Sequence, residues 1–392
     1  MTAGNRIISI DFLRGFTIVL MILVNNPGSW DHLFYPLSHS HWNGCTPTDL
    51  IFPFFIFIVG SSIAFAMSSK KEDSGIIKKI VKRGSIIFLL GILKDNFPYF
   101  ILENGHVKAW LPDVWRIPGV LQRIGLVFIF TGILFIKTGW KTQIVVIIIC
   151  LFSYWLLINI EIPGAFVKDL SKPGSYNFGA WLDVQILGKN HLWKHSRIEG
   201  WDPESLLGTI PALGTCLLGL LSGQLIISEK KLPEKIKLLA FTGIPLIIGG
   251  LLWNFIFPIN KSLWTSSYVL FSGGIAMLCT AFCLWLIDYK SCQKFTKPFL
   301  YFGSNAIVAY VGSEIISTTL HVIPWNETKS LADAISDGIL FLFTHTSFQV
   351  IDQQHPEFGI AQLASHIYAF LLLIPFYFIL RYMYKRKIFV KI

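Results

Sequence analysis

Two histidines, His39 and His41, stand in the polar stretch LSHSHWNGCTPTD (residues 37–49), directly before the apolar run IFPFFIFIVGSSIAFAM. An imidazole titrates near neutrality, so it can take up and return a proton, as acid/base work on an amine or hydroxyl requires. Asn25 and Asn26 end the preceding apolar run, and Asn43 follows the histidines. Their carboxamides stand close to the histidines in sequence, and Asn43 is a candidate for binding substrate. A histidine in a polar loop is often a solvated bystander, and residue types alone leave both readings open. No Gly-x-Ser-x-Gly elbow, His-Glu-x-x-His motif or phosphate-cradling glycine loop is present, and the six cysteines form no CxxC pair. Serine-nucleophile chemistry, a zinc site and a disulfide framework are therefore not indicated.

Other polar groups sit beside or within apolar runs, where an unpaired charge costs about 2.5–3.5 kcal/mol. Asp11 and Arg14 are three apart, which puts them on one helical face as a structural ion pair. Lys94 and Asp95 interrupt another apolar run. Arg116 and Arg123, in RIPGVLQRIG, are seven apart. On a continuous helix they share a face, which suits phosphate or carboxylate binding or a lipid-headgroup anchor. Asp49, Asn305 and Glu314 lie at the ends of apolar runs or within them and are further binding candidates.

The elements that must position these groups are membrane helices. Of the 392 residues, 53% are hydrophobic and 14% are charged, where a soluble domain carries about 25% charged residues. The predicted fold is an all-α, polytopic helical bundle, one transmembrane domain over 1–392. Its ten spans are placed near 8–25, 50–68, 84–102, 118–136, 142–160, 204–227, 238–258, 266–287, 299–320 and 360–381. An eleventh would lie in 321–359, where SDGILFLFTHTSF reads more readily as an interfacial or re-entrant helix. The net charge of +10 comes from lysines and arginines in alternate loops, and residues 26–49 contain neither. The positive-inside bias puts both termini in the cytoplasm and residues 26–49 outside, with a longer outside loop at 161–203. No basic domain suggests nucleic acid, and the first apolar run has the form of a retained span. Pro27-Gly28 and Trp42-Asn43-Gly44 are turns, and Thr48 or Asp49 is placed to cap the next helix.

ISIDFLRGFTIVLMILVNNPG followed by HSHWNGCTPTDLIFPFFIFIVGSSI resembles the transmembrane heparan-α-glucosaminide N-acetyltransferase family. The resemblance continues through RIPGVLQRIG, DPESLLGTIPALGTCLLG, NKSLWTSSYVL, GSNAIVAYVGSE and RKIFVKI, and so covers essentially the whole chain in order. It is to a short bacterial form, expected to lack the N-terminal lumenal domain of the animal enzymes. The resemblance implies transfer of acetyl from cytoplasmic acetyl-CoA, as co-substrate and without a metal, to the amino group of a glucosamine-containing sugar across the membrane. The family's active-site histidine lies three residues before the Trp of Trp-Asn-Gly, which is His39 here, and its asparagine matches Asn25. The histidine would act as a base or carry the acetyl group itself, and Asn25 would orient it or meet the oxyanion. Implied partners are the lipid bilayer, an amino-sugar or glycosaminoglycan-derived acceptor and, as one open assembly, a second copy. The implied location is the bacterial inner membrane.

Two other readings remain at this level: a permease for amino sugars or muropeptides that does no covalent chemistry, and an acyltransferase for a different cell-envelope glycan.

Overall fold

A backbone surrounded by hydrocarbon has no water to bond, so each apolar run must satisfy its own amides, and helices result. The computed structural model describes residues 7–103, 106–109, 112–162, 176–194, 200–344 and 359–390. Its helices are α1 (Ile8–Asn25), α2 (Ile51–Met67), α3 (Ile76–Asp95), α4 (Val120–Lys137), α5 (Trp140–Ile158), α6 (Phe178–Leu187), α7 (Thr209–Ile227) and α8 (Leu232–Trp253). They continue with α9 (Ser266–Cys283, prolonged by a wider π-helical turn to Tyr289), α10 (Lys297–Ser304), α11 (Ala306–Val322), α12 (Leu331–Thr344) and α13 (Ile360–Lys385). A two-stranded antiparallel hairpin, β1 (Phe100–Glu103) and β2 (His106–Ala109), follows α3. Among the described residues eight helices are long and apolar enough to cross a membrane, or nine when α10 and α11 count as one span bent by 82°. The protein is an integral membrane helical bundle.

Each of the ten predicted spans overlaps a helix, but two boundaries are corrected. The span expected at 84–102 is α3, which begins at Ile76 with Lys78, Lys79, Lys82 and Arg83 in its first half. Those charges keep it outside the eight. It stops at Asp95 because buried Asn96 turns its amide on Arg116, donating to that residue's carbonyl at 3.0 Å and accepting its N–H at 2.9 Å. The span expected at 204–227 begins at Thr209, which leaves Glu204 in the preceding turn. α12 has 14 residues, a rise of about 21 Å against a hydrocarbon core of about 30 Å. It is too short to span, in keeping with the interfacial reading, and the end of that segment, 345–348, lies outside the described residues. So do 163–175 and 195–199 of the long loop, whose described part holds α6.

Packing grades from the bundle's centre to its rim. Two thirds of the α7 window is buried (67%), but only 17% of the α8 window, so α8 turns most of its side chains to lipid. The central crossing of α2 and α7 depends on small residues. A Cβ on Gly60 would lie 1.9 Å from the Cys216 carbonyl oxygen, and one on Gly219 would lie 1.9 Å from that of Phe57. Membrane helices lack a hydrophobic drive to associate, so close backbone approach of this kind supplies the contact. Ser61 Oγ adds a bond to the Gly219 carbonyl at 2.9 Å. At the opposite end from the histidine loop, Asp288 receives the first amides of α1, from Ile8 and Ser9, at 3.2 Å each. A carboxylate there offsets the positive helix end.

Candidate active site

The loop 26–49 returns to the bundle through the Trp-Asn-Gly turn. Trp42 is buried against Trp201 at 5.7 Å, Gly44 takes φ +107°, where only glycine sits without strain, and its N–H donates to the Ile259 carbonyl at 2.8 Å. Held in this way, His39 places Nδ1 2.7 Å from Asp49 Oδ1. The other carboxylate oxygen of Asp49 accepts the Ser40 and Thr46 amides at 3.1 and 2.9 Å and the Thr46 hydroxyl at 3.1 Å. Tyr268 donates to the Asp49 carbonyl at 2.5 Å. Asp49 therefore reaches back into the loop and does not cap α2. An imidazole N–H on a fully engaged carboxylate fixes the tautomer: Nδ1 carries hydrogen and Nε2 keeps its lone pair. This is the orienting arrangement of a catalytic acid–histidine pair.

Nε2 faces a second wall from distant sequence. Lys261 Nζ stands 3.5 Å from it. Asn260 Nδ2 donates to Asn43 Oδ1 at 3.1 Å, which joins the lysine's turn to the histidine's loop. Glu204 lines the same cavity of about 60 Å³, with Asn25, Met21, Tyr310 and His39. The Lys261 ammonium and then burial push the His39 pKa below its ordinary 6.5, against the pull of Asp49 and Glu204. The ring is neutral at pH 7 and free to accept a proton.

Arg116 and Arg123 do not share a helical face, because Pro118 and Gly119 delay α4 until Val120. Both serve the turn 202–205 instead. Arg116 grips Asp202 through Nε at 2.9 Å and Nη2 at 2.7 Å, and Nη2 also meets Glu204 at 2.7 Å. Arg123, fully buried over the Trp264 ring at 5.1 Å, donates to the Pro203 and Ser205 carbonyls at 3.2 Å each. With these partners they hold Glu204 against the cavity; Arg123 keeps Nε and Nη1 buried without a hydrogen-bond partner among the described residues. Asn25 lines the cavity with His39 and points its amide toward Glu314 at 3.5 Å; Glu314 in turn lies 3.8 Å from Lys94, which pairs with Asp95 at 2.5 Å. His41 is exposed.

A larger cavity of about 700 Å³ opens at the opposite, lysine-rich end and is mostly apolar. That volume lies within the ~300–1,000 Å³ of small-molecule sites. Arg14 and Arg83 line it, as do Phe389 and Val390, and it shares the buried wall residue Tyr310 with the histidine cavity. Asp11 and Arg14 form the expected ion pair at 3.0 Å, and Arg14 Nη2 reaches Ser62 Oγ at 2.7 Å. Asn305 takes no place at the histidine. It sits at the α10–α11 break and clasps residues 388–390, donating to the Ile388 carbonyl at 3.0 Å and accepting the Val390 amide at 2.8 Å. No cluster of three or more potential metal ligands occurs among the described residues.

Lys261 and Glu204 were missed from sequence because neither is near His39 along the chain. The signal available was the motif NKSLW, with one lysine in a tight turn between two spans.

Residues 6–249 match the family model for heparan-alpha-glucosaminide N-acetyltransferase, catalytic. The mouse heparan-alpha-glucosaminide N-acetyltransferase is 30% identical over 80% of this chain and 54% of its own length. The human protein of that name is 29% identical over 79% and 53%. The chain thus spans about half the length of the curated relatives it matches.

Proposed function

Because the chain belongs to the catalytic family of heparan-alpha-glucosaminide N-acetyltransferases, we propose that it is an acetyl-CoA-dependent N-acetyltransferase. Its acceptor is the amino group of a glucosamine-containing sugar on the other side of the membrane. The observation that carries this reading is the pair of cavities divided by Tyr310, with a tautomer-fixed imidazole in the smaller one. The larger chamber suits the long, largely apolar pantetheine arm, with Arg83 and the Asp11-paired Arg14 on the wall that its phosphates would meet. The thioester then reaches past Tyr310 to the space beside His39 and Asn25. His39 Nε2 takes the proton of the attacking amine, and Asn25 orients substrate or donates to the oxyanion. The lysine-rich end faces the cytoplasm, where acetyl-CoA is made, and the His39 end faces outward, a reading that the charge bias of the loops supports. The setting is a bacterial inner membrane and the working unit one transmembrane domain.

The test supplies purified protein with acetyl-CoA and glucosamine. N-acetylglucosamine from wild type and its loss in His39→Ala are expected. Sugar movement across a vesicle membrane with no CoA released, unchanged in His39→Ala, would overturn the reading in favour of a permease.

A further inference from the structure

The turn that carries Lys261 is held far more tightly than a surface lysine needs. Asn260 Oδ1 accepts the Leu263 amide at 2.9 Å, Asn260 N donates to Thr265 Oγ1 at 3.0 Å, and the Thr265 amide returns to the Asn260 carbonyl at 3.1 Å. Tyr154 donates its hydroxyl to the Leu263 carbonyl. Trp264 is fully buried at φ +55°, a left-handed conformation that costs a bulky residue about 1–3 kcal/mol and persists only where its surroundings over-determine it. Its indole N–H donates to Thr215 Oγ1 at 3.2 Å. The result is a lysine fixed at its base, next to the one imidazole nitrogen that Asp49 leaves open. The 3.5 Å between Nζ and Nε2 exceeds the 2.7–3.2 Å of a firm N–H···O bond, so the ammonium stands beside the base without saturating it.

We propose that Lys261 is a second catalytic residue: its ammonium binds the carbonyl oxygen of the acetyl group while His39 accepts the proton of the attacking amine. The inference rests on the acetyl-transfer reading. In the step, the neutral amine nitrogen attacks the thioester carbon and the carbonyl π electrons move to oxygen, which Lys261 N–H holds as the oxyanion. The amine proton passes to His39 Nε2. Collapse reforms the carbonyl and breaks the C–S bond. The departing thiolate takes the proton from His39, leaving the N-acetyl product, CoA and a neutral imidazole. A group attacked next to Nε2 necessarily lies within reach of Nζ, which is why one lysine serves both the base and the electrophile. Among the described residues, the charged and titratable groups facing His39 are Asp49 ahead of α2, Glu204 ahead of α7 and Lys261 ahead of α9, with Tyr310 across the cavity and the Cys45 thiol behind Asp49. Of the charged groups, only Lys261 is cationic.

The experiment compares wild type, Lys261→Met and Lys261→Arg with acetyl-CoA and glucosamine across pH 4.5–9, beside melting curves in detergent. Loss of one oxyanion donor lowers kcat by about 10²–10³-fold, with KM for either substrate changed far less. Removing the positive neighbour also moves the acid limb of kcat/KM to higher pH in Lys261→Met, while Lys261→Arg keeps the wild-type limb. A structural role would lower activity without moving that limb. Lys261→Met with wild-type kcat, or with its acid limb in place, overturns the inference alone. If Lys261→Met does not fold, a displaced limb in folded Lys261→Arg overturns it and a retained limb supports it. An inactive wild type would overturn acetyl transfer and this inference together.

Discussion

The Asp49 carboxylate decides which nitrogen of His39 keeps its lone pair, so an amide in its place should be damaging without altering the shape of the loop. Asp49→Asn allows the side chain to donate to Nδ1, which moves the ring hydrogen to Nε2 and removes the acceptor lone pair. A wrong tautomer of this kind costs roughly 10⁴ in kcat; steady-state kinetics should show that loss with little change in KM. The wild-type acid limb should lie below pH 6.5, because Lys261 and burial lower the His39 pKa and keep the ring neutral into mildly acidic solution. Asp183 in α6 gives an independent readout. Burial raises its pKa to about 7, and one carboxylate oxygen has no hydrogen-bond partner. The folded chain then holds a proton that the unfolded chain gives up near pH 4. Stability should fall as pH rises from about 4 to 7, and Asp183→Asn should flatten that slope in melting curves. At this scale sequence reached His39 and Asn25 through resemblance to a family. It offered Thr48 or Asp49 as a helix cap and Asp49 as a binding candidate, but not as the partner of His39, because the carboxylate's partners lie behind it in sequence. Glu204 and Lys261 could not be reached by spacing, since proximity in the fold was created by turns 165 and 222 positions away.

Helix-level features were legible wherever one physical pattern dominated. Apolar runs of span length became helices, eight or nine of them able to cross a membrane among the described residues, and α3 shifted from its expected bounds because its charged first half is helical and buried Asn96 stops it early. The Arg116–Arg123 spacing misled for a local reason: residues 115–119 are not helical and Gly119 is extended, so the seven residues never make two helical turns. The α2–α7 crossing supports a direct test. Gly60→Ala puts a methyl 1.9 Å from a backbone carbonyl, and the helices must separate along their central contact. A loss of about 1–3 kcal/mol is expected from overpacking, read as a lower melting temperature in detergent, while Gly139→Ala, with open space around it, should be neutral or nearly so. Glycine content alone did not reveal which of the 31 glycines bore such contacts, because the partner surface is set only when two helices meet.

For the molecule as a whole, composition was sufficient to identify a membrane bundle, and lysine distribution predicted its orientation. Cys292 tests that orientation without a mutation: it is exposed in the basic segment after α9, whereas the other five cysteines are buried or half-buried. Cys45, at the His39 end, is further protected because burial and then Asp49 push its pKa up to about 12, leaving no thiolate. An impermeant maleimide should label Cys292 in inside-out vesicles and not in intact cells; labelling in intact cells would reverse the orientation. The clasp of Asn305 on residues 388–390 bears on how this protein is made. Its partner carbonyl lies 83 positions downstream, so every helix that encloses the larger chamber leaves the ribosome before Phe389 and Val390 can complete it. The nascent protein thus passes through a stage with this vestibule unsealed, and the chamber is walled in only once residue 390 has been made.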